Sequence, residues 1–175
     1  MMKGILVVLI GVALIVGFSA GCISAGTPID GILSYWRSIN SFTAHETIKL
    51  GNQIFESYVK FTRPDKIARA DYVNGSLIQE IRVENGVQKV VTVNGTFILN
   101  ATLDDVNFLD PFALILNNLD SFNVTKRNST LLLTSKTGGL PSYEVELNGK
   151  LPKKITVRQA GLVLVVEYKM ITAKT

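Results

Sequence analysis

Three hydrophobic patterns divide the chain. Residues 4–18 are almost uninterruptedly apolar, with Met1-Met2-Lys3 in front and Ser19-Ala20-Gly21-Cys22 behind. Next, Ile29, Ile32, Leu33, Trp36 and Ile39 recur at helical spacing and form one apolar stripe, which predicts an amphipathic helix. Thr27 is placed to cap it, Pro28 to take the first helical position and Asp30 to lie in the first turn. Beyond Ser41 the period drops to two and β-favouring residues dominate.

That alternation predicts strands over residues 42–50, 53–62, 67–73 and 77–83, with turns at Gly51-Asn52 and Asn74-Gly75. Arg63-Pro64-Asp65-Lys66 interrupts it. Asn85-Gly86 and Asn94-Gly95 mark two further tight hairpins, because Asn-Gly readily supplies the positive φ angles such turns need. Asp110-Pro111 then opens a short, very apolar helix or turn containing Phe112, Leu114, Ile115, Leu116 and Leu119. Strands resume over 122–126, 130–135, 143–147, 154–159 and 162–172, turning at Gly138-Gly139, Asn148-Gly149 and Ala160-Gly161. The expectation is one α+β domain: an antiparallel sheet of roughly eight to eleven strands, curved around the one or two helices that cover its apolar face.

The N-terminal pattern has the order of a secretory signal: a charge, an apolar stretch, then small residues. Cys22 is the single cysteine, so no internal disulfide can form. Its place after Ser19-Ala20-Gly21 resembles the lipobox of prokaryotic lipoproteins, in which the leader is removed and the cysteine becomes the lipidated N-terminus. Ser19 stands where most bacterial lipoboxes carry a large aliphatic residue, and this resembles the looser archaeal form. The alternative is an uncleaved anchor, since residues 4–21 come near the lower limit for crossing about 30 Å of hydrocarbon. Either way the remainder lies on the extracytoplasmic face of a membrane. The division is then 1–21 leader, 22–28 tether and 29–175 domain.

The net charge of +4 is carried by scattered basic residues, which excludes a nucleic-acid footprint and allows a mild attraction to anionic head groups. Five Asn-x-Ser/Thr triplets, at Asn74, Asn94, Asn100, Asn123 and Asn128, are candidate glycosylation sites and agree with an extracytoplasmic location. Composition alone also generates such triplets where Asn-Gly turns are frequent. Catalytic material is sparse. His45 is the only histidine, Asp104-Asp105 sits in a loop, and no nucleotide, serine-hydrolase or zinc-protease motif occurs. Neither an enzyme, a metal site nor a cofactor is expected.

The order of parts is familiar. A helix ends in Ser-Ile-Asn-Ser-Phe-Thr-Ala (38–44), strands lead to Lys60-Phe61-Thr62-Arg63-Pro64-Asp65-Lys66, Asn-Gly hairpins follow, and then comes Asp110-Pro111-Phe112-Ala113-Leu114-Ile115. This resembles the periplasmic lipoprotein carrier family (LolA and LolB) across most of residues 28–170. The resemblance implies a strongly curved sheet forming an incomplete barrel, helices over its mouth, and acyl chains of a client between them. It implies that Arg63 contacts the helical lid and holds it shut. The chain lacks the family's final helix-and-strand extension.

Ile32, Leu33, Trp36, Phe61, Phe112, Leu114, Ile115 and Leu116 are the candidate walls of such a cavity. Ile32, Leu33 and Trp36 are more often ordinary core, because helix stripes normally bury against a sheet, while the 112–119 cluster reads equally as core packing or as a ligand lid. Two functions therefore stand side by side. One is a monomeric, membrane-anchored carrier, acceptor or sensor that binds a lipid or a lipidated protein. The other is a non-catalytic interaction or assembly module whose core is filled by its own side chains.

Overall fold

The computed structural model describes residues 28–101 and 110–175; the leader, Cys22, most of the tether, Thr27 and Asp104-Asp105 lie outside them. The first helix, α1 (Ile29–Ser38), buries Ile32 and Trp36, and Ile39 continues the stripe at its C-cap. It begins one residue later than the sequence suggests. Pro28 is extended (φ −55°, ψ 146°) and serves as the cap residue, its carbonyl accepting from the Gly31 and Ile32 amides.

Among the described residues, eleven strands follow the hairpin logic of the sequence: β1 (Ser41–Leu50), β2 (Gln53–Thr62), β3 (Lys66–Val73), β4 (Ser76–Glu84), β5 (Val87–Thr92), β6 (Gly95–Asn100), β7 (Phe122–Arg127), β8 (Thr130–Ser135), β9 (Ser142–Asn148), β10 (Leu151–Gln159) and β11 (Leu162–Lys174). They form one antiparallel sheet in the order β6-β5-β4-β3-β2-β1-β11-β10-β9-β8-β7. Every neighbouring pair is a sequence-local hairpin except β1–β11, which joins the two halves through pairs such as Phe42 with Ala173 and Ile48 with Val166. Among the described residues the sheet is curved and does not close, and β6 and β7 are its edge strands. Between these edges in sequence stands α2 (Pro111–Asn117), followed by a 3₁₀ turn (Leu119–Ser121).

Local chemistry explains two departures from the expected boundaries. At Asn74-Gly75 (φ +50° and +77°) and Asn85-Gly86 (φ +53° and +74°) both central residues adopt the left-handed conformation that two-residue hairpins require. At Asn94-Gly95 the turn instead uses Val93-Asn94, because Thr92 Oγ1 accepts the Asn94 amide and Gly95 (φ +139°) already belongs to β6. Likewise β10 starts at Leu151 rather than Lys154. Pro152 has no amide to give the ladder, and the register shift between Pro152 and Lys154 accommodates it.

One face of the sheet carries the core. Phe42, Ile48, Val59, Phe61, Ile67, Leu131, Leu133, Val145, Ile155, Val157 and Val166 alternate inward and meet α1 and α2. Phe112 sits at the centre, 5.2 Å from the Trp36 ring edge-on and 5.3 Å from Phe42. Trp36 also donates its indole N–H to the Lys150 carbonyl at 2.6 Å, so a buried polar atom is satisfied.

Candidate functional site

Asp110-Pro111 starts α2 as the residue types require. The Asp110 carboxylate accepts the Ala113 amide at 2.7 Å, and Pro111 occupies the first turn, where no amide partner is needed. From Pro111 to Leu116 all six residues are buried. A helix resting on a sheet buries one stripe and exposes the other; α2 is buried around its whole circumference. It is a plug of side chains seated against the core face.

The candidate cavity residues meet here. Ile32, Trp36, Phe61, Phe112, Leu114, Ile115 and Leu116 are at most 3% exposed, and Leu33 is partly buried against the same cluster. Their side chains occupy the sheet–helix space that the resemblance reserves for acyl chains. A groove of about 390 Å³ lies elsewhere, among Thr43, His45, Tyr58, Lys60, Ala68, Ala70, Arg82 and Met170. By strand alternation these residues point away from α2; the small side chains of Ala68 and Ala70 leave the trough between larger neighbours. His45 stacks on Tyr58 at 4.4 Å there, as a half-buried strand residue.

Arg63 joins the C-terminal ends of the two helices. Its Nη1 donates to the Arg37 carbonyl (2.8 Å), and its Nη2 donates to the Leu116 carbonyl (2.5 Å) and, more weakly, to that of Trp36 (3.4 Å). Helix C-termini leave carbonyls without intrahelical donors and carry partial negative charge, so one guanidinium satisfies both ends. Partial burial pushes the Arg63 pKa down from its ordinary value, and its Nε has no acceptor. Two contacts reinforce the junction: Asn117 donates to the Pro64 carbonyl at 2.6 Å, and Arg37 pairs with Asp120 at 2.9 Å.

At the other end of α2 lies a polar group that the sequence did not announce. Glu46 is fully buried on the core face of β1, between Ser57 of β2 and Tyr168 of β11 in the register. Neither Glu46 oxygen nor Asp110 Oδ2 finds a donor. Burial first, and then the neighbouring Asp110 charge, push the Glu46 pKa well above the ordinary carboxyl value; burial raises Asp110 as well. A proton on Glu46, donated to Asp110, supplies the missing bond. The Arg69 charge favours ionisation of both, but its Nε is bonded to Asp71 at 2.6 Å, and Asp71 also takes bonds from Ser57 and from Gln79 (2.7 Å). The Tyr168 hydroxyl is buried beside the pair, its pKa also raised by burial.

All five sequon asparagines are exposed, with Asn74 and Asn128 in left-handed turn conformations. Among the described residues no group of three or more His, Cys, Asp or Glu could hold a metal ion, and no helix is long and apolar enough to cross a membrane.

No protein-family model matches the chain, and neither does any curated protein. Several solved structures match the chain at low identity. They include the Pseudomonas aeruginosa MucA/MucB complex (14% identity, TM-score 0.46, covering 82% of this chain and 55% of that one). The Mycobacterium bovis protein LprF is 10% identical (TM-score 0.40, 82% and 92% covered). The Mycobacterium tuberculosis lipoprotein LppX is 8% identical (TM-score 0.43, 81% and 95% covered). This chain spans about half the length of the chain it matches in the MucA/MucB complex. At identities of 8–14% and TM-scores of 0.40–0.46, none of these likenesses assigns a family or a function to the chain.

Proposed function

We propose that this is a non-catalytic, lipid-anchored protein of an extracytoplasmic membrane face that admits an acyl chain, of a lipid or of a lipidated protein, where α2 now sits. Cys22 is the anchor and residues 22–28 the tether. The observation that carries the reading is the contrast within α2: six consecutive buried apolar residues, held by polar fittings at the two ends. An acyl chain offers the sheet the same kind of surface that α2 does, so exchange sacrifices little hydrophobic burial. Each methylene contributes about 0.8 kcal/mol, and two to four of them match a charge-assisted hydrogen bond of about 1.5–3 kcal/mol. The fittings therefore set which state prevails, and a ligand shifts the balance by its preference for the open one.

The tight packing of Trp36, Phe61, Phe112 and Ile115 favours a second reading, an interaction module with a permanently filled core. Native mass spectrometry of protein purified from membranes separates the two. The first reading predicts a non-covalent acyl lipid, about one per chain, which denaturation releases while any lipid on Cys22 stays attached. A chain that carries none, and gains none on incubation with long-chain phospholipid, selects the second.

A further inference from the structure

The two edges of the sheet and the sequons coincide. Asn94 immediately precedes β6, Asn100 is its last residue, Asn123 lies within β7, and Asn128 forms the turn that leaves it. The fifth, Asn74, lies in an interior turn between β3 and β4. We propose that Asn94 and Asn100 carry N-linked glycans that keep the open β6 edge from pairing with another chain. The proposal rests on the extracytoplasmic placement above and is independent of the lipid-binding reading.

An edge strand presents unpaired amides and carbonyls, a template for a second chain unless charge, proline or a bulge blunts it. β7 has such a defence in Lys126 and Arg127. Among the described residues β6 has none: Gly95-Thr96-Phe97-Ile98-Leu99-Asn100 is uncharged, lacks proline, and pairs with β5 in unbroken register. Its apolar residues are open on both faces, with Phe97, Ile98 and Leu99 at 54%, 68% and 55% exposure. Such a strand should promote association, yet a sequon stands at each of its ends, roughly 20 Å apart. A sugar chain at either end fills the space that a partner strand would need.

The chemistry is ordinary transfer from a sugar activated as a lipid-linked phosphate ester. The asparagine side-chain nitrogen attacks C1; the N–C1 bond forms, the C1–O bond breaks, and the lipid phosphate leaves with the bonding pair. One amide proton passes to a base on the transferase. No oxidation state changes. Both asparagines are exposed, as that enzyme requires.

Glycopeptide mass spectrometry of the protein from its own cells should find sugar adducts at Asn94 and Asn100. The Asn94→Gln/Asn100→Gln variant should then shift from monomer to concentration-dependent oligomer in sedimentation velocity, whereas Asn74→Gln should not. Thr96→Ala with Thr102→Ala removes the same two sequons and keeps both asparagines, so it should reproduce the shift with an unchanged melting temperature. Adding Ile98→Lys to the Gln variant should restore the monomer by charging the edge. Bare Asn94 and Asn100 peptides from native protein, sequon variants that stay monomeric, or failure of Ile98→Lys to rescue would each overturn the proposal.

Discussion

Glu46→Gln isolates the buried carboxyl pair. In the wild type, one proton on Glu46 is donated to Asp110, beside oxygens that are otherwise buried without a donor. Glutamine keeps the volume and provides an amide donor at every pH. A carboxyl whose folded pKa is raised contributes stability that is fully present below the unfolded pKa and is lost as pH rises through the folded one. Here burial and the Asp110 charge raise Glu46, so the wild type should weaken between pH 4.5, the ordinary Glu value, and the alkaline side. The lost bond involves a charged group in a dry site, which sets the penalty at about 1.5–3 kcal/mol. We predict near-equal melting temperatures for wild type and variant at low pH. At about pH 9 the variant should melt roughly 3–12 °C higher, taking 2–4 °C per kcal/mol for a chain of this size. Thermal unfolding followed by circular dichroism across that range measures it. Parallel pH profiles, or a variant less stable at alkaline pH, would refute the reasoning.

Three further outcomes follow from single side chains. Arg63→Leu strips the donors from the Arg37 and Leu116 carbonyls and should loosen the α1–α2 junction by about 1.5–3 kcal/mol, read as faster proteolysis near residues 110–121 with the sheet signal unchanged. Arg63→Lys should not rescue it, because one ammonium cannot reproduce the fork. Tyr143→Phe should leave stability unchanged or raise it by about 1 kcal/mol in chemical denaturation, since the Tyr143 hydroxyl is buried without a partner. Cys22→Ser should abolish lipid attachment and release the protein from membranes; an intact Lys3 on membrane-bound wild type in N-terminal mass spectrometry would establish an uncleaved anchor instead.

Local chemistry was legible in the sequence, and the encounter around Glu46 was not. Asn74-Gly75 and Asn85-Gly86 specify their hairpins because the positive φ angles are intrinsic to those residues. Asp110-Pro111 specifies the start of α2 for the same kind of reason. Glu46 alternates in phase with Phe42, Ala44 and Ile48, and that phase was the available clue that it faces inward. Its neighbours Asp110, Arg69, Asp71 and Tyr168 come from α2, β3 and β11, and only the assembled topology brings them together. Whether Phe112 and Trp36 line a void or fill one depends on how deeply α2 sits, a distance that hydrophobic periodicity does not encode.

The central claim is that α2 and an acyl chain exchange for one place on the sheet. Hydrogen exchange tests it directly, with the amides of α2 followed in the presence and absence of long-chain phospholipid shown to bind by native mass spectrometry. The account predicts that bound lipid deprotects α2 while the central strands β1 and β11 keep their protection, and that Arg63→Leu produces part of the same deprotection without lipid. Lipid bound with α2 protection unchanged would contradict it.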